Sequence, residues 1–237
     1  PDDSHNAKYN GKNGDNCFHG TKILFIFGVT KLKPMFKKEV YVRRRATLAV
    51  KMHEAGQHGL VLLVGNVEAP AQSKDNCYKW RQDSSWIYYV GLDEPQMAFI
   101  MDLDSGDECL FANSVDIDDI IWMGPQPSVR SKAESAGITT SAPYSSVQLY
   151  LDAHAKGRPV HYLPPSRYYN TMYLQGILPG TSPSEALIRA VVSMRLVKED
   201  IEIEAIDHAC DLGYEMHSVA RDSIVPGIVE QEIVGKM

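Results

Sequence analysis

Tyr78-Lys79-Trp80-Arg81-Gln82-Asp83-Ser84-Ser85-Trp86-Ile87-Tyr88-Tyr89-Val90-Gly91 is the densest run of chemically capable side chains in the sequence. Its spacing predicts an Arg81-Gln82-Asp83 turn followed by a short β-rich run from Trp86 to Val90. On a strand, Trp86 and Tyr88 share one face while Ile87 and Tyr89 share the other. Two further runs, Gln96 to Asp102 and Glu108 to Ala112, follow across Gly- and Asp-containing turns, which predicts a meander of adjacent strands. Half-exposed aromatics beside an arginine suit an interface or the rim of a ligand site. A sheet packed with aromatics around a buried Arg–Asp pair accounts for the same residues.

Upstream, Glu39 to His58 carries apolar residues at helical steps (Val42, Ala46, Ala49, Val50), with stop signals at Gly56 and Gly59. Arg43-Arg44-Arg45 fan around that helix, the pattern of a solvated face. Leu60 to Val64 is wholly apolar and ends at Gly65, as expected of a strand covered on both sides. Downstream, Val115 to Ile121 and Ser128 to Ala136 read as short helices. Gly137 then precedes the strand-like Ile138-Thr139-Thr140. Ser145 is placed to cap a helix over Ser146 to Lys156, and Pro159 to Leu163 supplies another strand. Strands mixed with crossover helices define an α/β class with a mixed sheet.

Gly176 to Ser184 is dense in Gly, Pro and Ser and marks a boundary. Ser182 and Glu185 have capping-box spacing, with Pro183 at the first helical position. A long amphipathic helix follows, striped by Ile201, Ala205, Ala209, Leu212, Met216 and Val219. Pro226-Gly227 breaks it before a last helix begins at Glu230. These helices have apolar stripes but no sheet of their own, so either they pack back on the first domain or, the favoured reading, they are the opening elements of a second domain. The sequence thus divides into a head (1–34), an α/β domain (35–175), a linker (176–184) and helices that begin another domain (185–237).

The chain has 237 residues, 44% hydrophobic and 23% charged, enough for a sizeable core without disulfides or structural metal. A net charge of −6 argues against nucleic acid or an anionic membrane as partner. Cys17, Cys77, Cys109 and Cys210 form no zinc-ribbon spacing and suit a reducing compartment. The apolar run Ile23 to Val29 is far short of the roughly 20 residues that span a bilayer, so the expected location is the cytoplasm. Pro1 to Gly20 is polar and aperiodic, and Met35 is the first methionine. The expectation is therefore that the native protein starts there and that the head is foreign or upstream sequence. His5, Cys17 and His19 could be drawn as a metal site, but nothing around them would hold the ligands.

Motifs for nucleophile elbows, phosphate loops, dinucleotide turns and His-Glu-x-x-His zinc helices are absent. Asp102 and Asp104 abut Ser105-Gly106 and read as a β-turn. Asp116, Asp118 and Asp119, like Glu199, Asp200 and Glu202, fall in first helical turns, where negative charge suits the dipole. His208 and His217 lie on opposite sides of one helix, and neither His154 nor His161 has an evident partner. The residues alone define no catalytic constellation.

Taken with the tail, the opening stretch becomes specific. Tyr78-x-Trp80-Arg81-Gln82-Asp83-Ser84-Ser85-Trp86-x-Tyr88-Tyr89-x-Gly91, then Asp93-x-Pro95, resembles the N-terminal domain of bacterial aminopeptidase P, the Xaa-Pro aminopeptidases. Ile121-Trp122-Met123-Gly124-Pro125 is similar to the same domain. Met194-Arg195-Leu196-Val197-Lys198-x-x-x-Glu202-Ile203, continuing to Pro226-Gly227-x-x-Glu230-x-Glu232-Ile233, resembles the entry into that family's pita-bread catalytic domain. The resemblance implies a mixed-sheet creatinase/prolidase-type N-terminal domain followed by the first helices of a truncated pita-bread domain.

It also implies removal of the residue preceding proline by two divalent ions, usually manganese, held by two Asp, a His and two Glu, with a bridging hydroxide attacking the carbonyl. On this reading those ligands lie after residue 237. No catalytic or metal residue is carried over, the fragment is expected to be inactive alone, and no ion of its own is expected. The family's N-terminal domain caps the active-site mouth and takes part in homo-oligomer contacts, which assigns a rim or interface role to Arg81, Trp86 and Tyr88. Where some members carry a second aromatic, this chain has Ile87. A creatinase or prolidase relative and a non-catalytic pita-bread binding protein remain alternatives.

Overall fold

The computed structural model describes residues 34–237, apart from 74–75, 118–119 and 122–123. Expectations for the head, including the His5, Cys17 and His19 grouping, lie outside the described residues. The centre of the fold is the strand β1 (Leu60–Val64), whose first four residues are buried. It is flanked by β4 (Ala98–Asp102) running antiparallel and β7 (Val160–Tyr162) running parallel. β5 (Glu108–Ala112) pairs antiparallel with β4, and β6 (Thr140–Pro143) pairs parallel with β5. The sheet order is therefore β6-β5-β4-β1-β7, mixed as expected. A separate two-stranded ribbon joins β2 (Pro70–Ser73) to β3 (Asn76–Cys77).

Strand alternation builds two cores. Val61, Leu63, Phe99, Met101, Leu110 and Ala112 face one side; Leu60, Leu62, Ala98, Ile100, Cys109 and Phe111 face the other. The first side is covered by four helices: α1 (Lys38–Glu54), α2 (Ser84–Tyr89), α3 (Val129–Ser135) and α6 (Glu185–Leu196). The second is covered by α4 (Val147–Ala155) and α5 (Tyr168–Ile177) through Val147, Leu151 and Leu174. Each fully buried Leu or Phe contributes about 1.5–3 kcal/mol, so both faces are needed to hold a five-stranded sheet. The long helix α7 (Asp200–Ser223) buries no residue, and neither does α8 (Glu230–Lys236). Among the described residues no helix is long and apolar enough to cross a membrane.

Five expectations change, the first being the face of α1: Val42 and Val50 are exposed, and Val40, Tyr41, Leu48 and Met52 are buried instead. Trp86 to Val90 is helical rather than a strand: the Asp83 carboxylate accepts from the N–H groups of Ser85 (2.8 Å) and Trp86 (3.0 Å) and so caps α2. That cap outweighs the β preference of the aromatics, and the meander reduces to the β4–β5 hairpin. Arg44 and Arg45 are 2% and 0% exposed, so the basic cluster is no solvated face; only Arg43 points outward. The cap of α6 is Ser184, not Ser182, because the Ser184 hydroxyl accepts from the Leu187 N–H, and Pro183 precedes the helix. Residues 144–146 form a 3-10 turn, so α4 begins at Val147 and Ser146, not Ser145, precedes it.

The Asp102 turn is as expected, with an addition. Its Oδ1 accepts from the Asp104 N–H at 2.9 Å, and the carboxylate also receives Arg158 through Nη1 (2.9 Å) and Nη2 (2.7 Å). Arg158 also pairs with Asp104, which ties the hairpin turn to the α4–β7 loop. The Arg158 hydrogen bonds hold the Asp102 carboxyl below the usual carboxylate range. A depressed folded-state pKa stabilises the fold above the unfolded value and ceases to do so as pH falls through the folded one. We therefore expect Asp102→Asn to lower the urea midpoint near neutrality, with the gap to wild type closing below about pH 4. A gap that stays constant across the acid range would refute this.

Candidate functional site

The Arg81–Gly91 stretch is legible residue by residue. Gln82 is buried: its Oε1 accepts from the backbone N–H of Asn66 (2.6 Å) and Asp83 (2.8 Å), and its Nε2 donates to the Glu94 carbonyl (2.7 Å). Asn66 donates to the Arg81 carbonyl and accepts from Asn170 of α5. This buried amide network fixes the approach to α2, with Asp83 then starting the helix. Trp86 is 1% exposed and donates its indole N–H to the Leu92 carbonyl at 2.6 Å. Tyr89 is fully buried and stands edge-on to Tyr88, with ring centroids 4.9 Å apart.

The stretch places Arg81, Trp86 and Tyr88 differently. Arg81 is exposed, and among the described residues its guanidinium forms no salt bridge. Tyr88 is buried, yet its ring forms part of a cleft wall. Trp86 lies inside the core beneath them. The cleft, of about 570 Å³, runs between the Trp80–Tyr88 segment and the first turns of α7, where Ala205, Ile206 and Ala209 close it. Phe36, Arg44 and Arg195 complete the wall. Arg195 donates to the Ser85 hydroxyl at 3.1 Å and lies 5.7 Å from the Tyr88 ring centroid. Trp80 donates its indole N–H to Asp93 at 3.3 Å. An apolar, aromatic groove with the exposed Arg81 guanidinium at its lip can hold an extended chain and meet an acidic group.

Two arginines that the sequence placed in solvent organise this region. The Arg44 guanidinium lies 3.9 Å from the Tyr88 ring centroid and donates to the Tyr88 carbonyl at 3.1 Å. It also meets Glu199 Oε2 at 3.0 Å. Arg45 donates to the carbonyls of Tyr89, Ala136 and Gly137 and pairs with Glu108 at 2.9 Å. Partial burial pushes the Glu199 carboxyl upward, but Arg43 and Arg44 together outweigh it and hold it below the usual range. Burial raises the Tyr88 and Tyr89 hydroxyls, so both stay protonated at neutral pH.

Among the described residues, His161 Nδ1 lies 2.8 Å from the Ser184 hydroxyl, which could suggest a nucleophile and base. That hydroxyl caps α6, and His161 Nε2 faces the His58 carbonyl at 3.0 Å, so the pair ties β7 to the helix start. His154 Nδ1 meets the Tyr150 carbonyl. No group of three or more His, Cys, Asp or Glu among the described residues converges to hold a metal ion.

The sheet order and its helix layers have counterparts in solved proteins. A histidine-to-alanine variant of Escherichia coli aminopeptidase P superposes with a TM-score of 0.71 at 24% identity, over 85% of this chain and 48% of that one. The zinc-substituted E. coli enzyme in complex with product gives the same values. In class, this is the mixed α/β fold of the first part of those proteins.

Residues 41–162 match the family model for the aminopeptidase P N-terminal domain, and the chain belongs to that family. Curated relatives include a probable Xaa-Pro aminopeptidase of Aspergillus terreus, 28% identical over 188 residues, and the Xaa-Pro aminopeptidase of E. coli K12, 25% identical over 215 residues. The chain spans 36% and 48% of the lengths of these two relatives.

Proposed function

We propose that this chain is the front part of a Xaa-Pro aminopeptidase that removes the N-terminal residue preceding proline. The carrying observation is the reach of the likeness. It covers 84% of this chain against the E. coli relative, past the family domain's end at residue 162 and beyond the linker. In this reading residues 35–175 are the cap, 176–184 the linker, and the helices from 185 onward open the catalytic domain, the first of them, α6, packing back on the cap's core through Leu187, Ala190 and Val191. The exposed stripe of α7, including Leu212, Met216 and Val219, is then a face awaiting the remainder of that domain.

Two divalent ions, manganese in this reading, would polarise the scissile carbonyl and supply the attacking hydroxide. The described residues do not form a holder for them, so no step through the metals is assigned to this chain. Its own contribution is the cleft. Arg81 and Tyr88 supply a rim for peptide substrate or for a neighbouring subunit of a homo-oligomer, and Trp86 supports that rim from below. The intact protein is placed in the cytoplasm.

The purified chain with added manganese should release no arginine from an Arg-Pro-Pro peptide, whereas the product of the complete gene should release it. Turnover by the chain alone would overturn the assignment of chemistry to later residues. A complete product inert on peptides with proline second would overturn the peptidase reading.

A further inference from the structure

We propose that Arg44 is a positioning residue that sets the direction of the long helix α7 against the cap, through the carboxylates that start that helix. Apolar packing holds this direction only weakly, because none of the 24 residues of α7 is fully buried. Its fixed point is the first turn. There Glu199 and Glu202 form a capping box, with the Glu199 N–H donating to Glu202 Oε2 at 3.1 Å. The same two carboxylates face the Arg44 guanidinium, at 3.0 Å for Glu199 and 3.5 Å for Glu202. One guanidinium thus holds the pair of groups that starts the helix.

Arg44 can serve as a reference point because it is itself held. It is 2% exposed, rises from the middle of α1, and lies over the Tyr88 ring (3.9 Å) and within 5.3 Å of the Phe36 ring centroid. Nη1 is spent on the Tyr88 carbonyl, which leaves Nε and Nη2 for Glu199. A planar fork held on two sides presents its remaining donors in one direction, which a flexible ammonium cannot do. Arg43 adds a second, exposed contact to Glu199 at 3.0 Å.

At 1.5 Å per residue, α7 is about 36 Å long, so an added swing of about 10° at its base moves the far end by about 6 Å. The cleft closed by Ala205, Ile206 and Ala209 would change width with that swing. The consequence for a reaction chamber built beyond α7 rests on the peptidase reading. The geometry does not, and the test needs no activity.

The test is a spin-label distance measurement on the full chain, with labels at Leu149→Cys on α4 and Arg221→Cys near the end of α7, both exposed positions. Cys17, Cys77 and Cys210 are replaced by serine. Cys109 stays, since it is buried and its thiol is pushed up to about 11 by that burial. The parent should give one narrow distance. Arg44→Lys and Glu199→Gln should each widen it about two-fold, as about 10° of play over this length requires, with helix content and melting temperature retained in Glu199→Gln. An unchanged distribution in Glu199→Gln overturns the proposal. So does a widening accompanied by loss of helix content, which would make Glu199 only a cap. Glu199 is partly exposed, so this variant decides the matter should Arg44→Lys fail to fold.

Discussion

Arg45→Met should lower the unfolding free energy by about 3–5 kcal/mol, the cost of removing one partner from a buried ion pair. The side chain is fully buried and has four obligations. Glu108 receives Nε at 2.9 Å, the Tyr89 carbonyl receives Nη1 at 3.0 Å, and the carbonyls of Ala136 and Gly137 receive the rest at 3.1 and 3.2 Å. Tyr89 ends α2, and Ala136 and Gly137 follow the end of α3. Helix C-termini carry unsatisfied carbonyls and a partial negative charge, so a cation where two of them converge satisfies both at once. Methionine fills most of the volume but leaves those carbonyls and the Glu108 carboxylate without their donor. Arg43→Ala, at a side chain 60% exposed, should cost no more than about 1 kcal/mol. Urea denaturation of the two variants separates the cases. An Arg45→Met protein within about 1 kcal/mol of wild type would show that water replaces the arginine.

The same residue shows why part of this fold is hidden in the sequence. β1, the β4–β5 hairpin and the helices after the linker follow from local patterns: a wholly apolar run, two β-rich runs across a Gly- and Asp-containing turn, and an apolar stripe at helical steps. Arg44 and Arg45 carry no local sign of burial, because their partners Glu199 and Glu108 lie 155 and 63 residues away. Helix α2 failed for another reason. Its aromatics favour a strand when counted one at a time, and the deciding signal was Asp83 as a cap, three residues before Trp86 and written in the chain as Asp-Ser-Ser-Trp. Had the cap been weighed first, the spacing of Trp86 and Tyr89 would have read as one buried helix face. A strand would give Trp86 and Tyr88 one shared, half-exposed face, whereas the helix buries Trp86 at 1% exposure and leaves Arg81 and Tyr88 beside the cleft. The cleft itself needed Phe36, Arg195 and α7 to meet that segment, and no spacing encodes such a meeting.

Gly91→Ala should destabilise the fold by about 2–5 kcal/mol, and comparison with Gly106→Ala tells why. Both glycines have φ of +78°, a region where a side chain costs roughly 1–2 kcal/mol. Their surroundings differ. A Cβ on Gly91 would stand 2.2 Å from Cζ of Tyr41, whereas a Cβ on Gly106 would meet nothing within 4 Å. Tyr41 has no room to yield: it is 0% exposed, and its hydroxyl accepts from the Phe36 N–H at 3.1 Å. Relieving the clash means displacing a buried ring, an overpacking cost of typically 1–3 kcal/mol added to the backbone strain. Gly106→Ala should show the strain alone. Equal losses in the two variants, read as urea midpoints with unchanged slopes, would mean that the ring moves freely and that the close approach stabilises nothing. A larger loss at Gly91 would make the last residue of the Tyr88-Tyr89-x-Gly91 pattern a packing requirement. It is the point at which α1, carrying Arg44 and Arg45, is pressed against the end of the segment those arginines hold. A bulkier residue there would loosen the cleft wall without touching any residue that lines it.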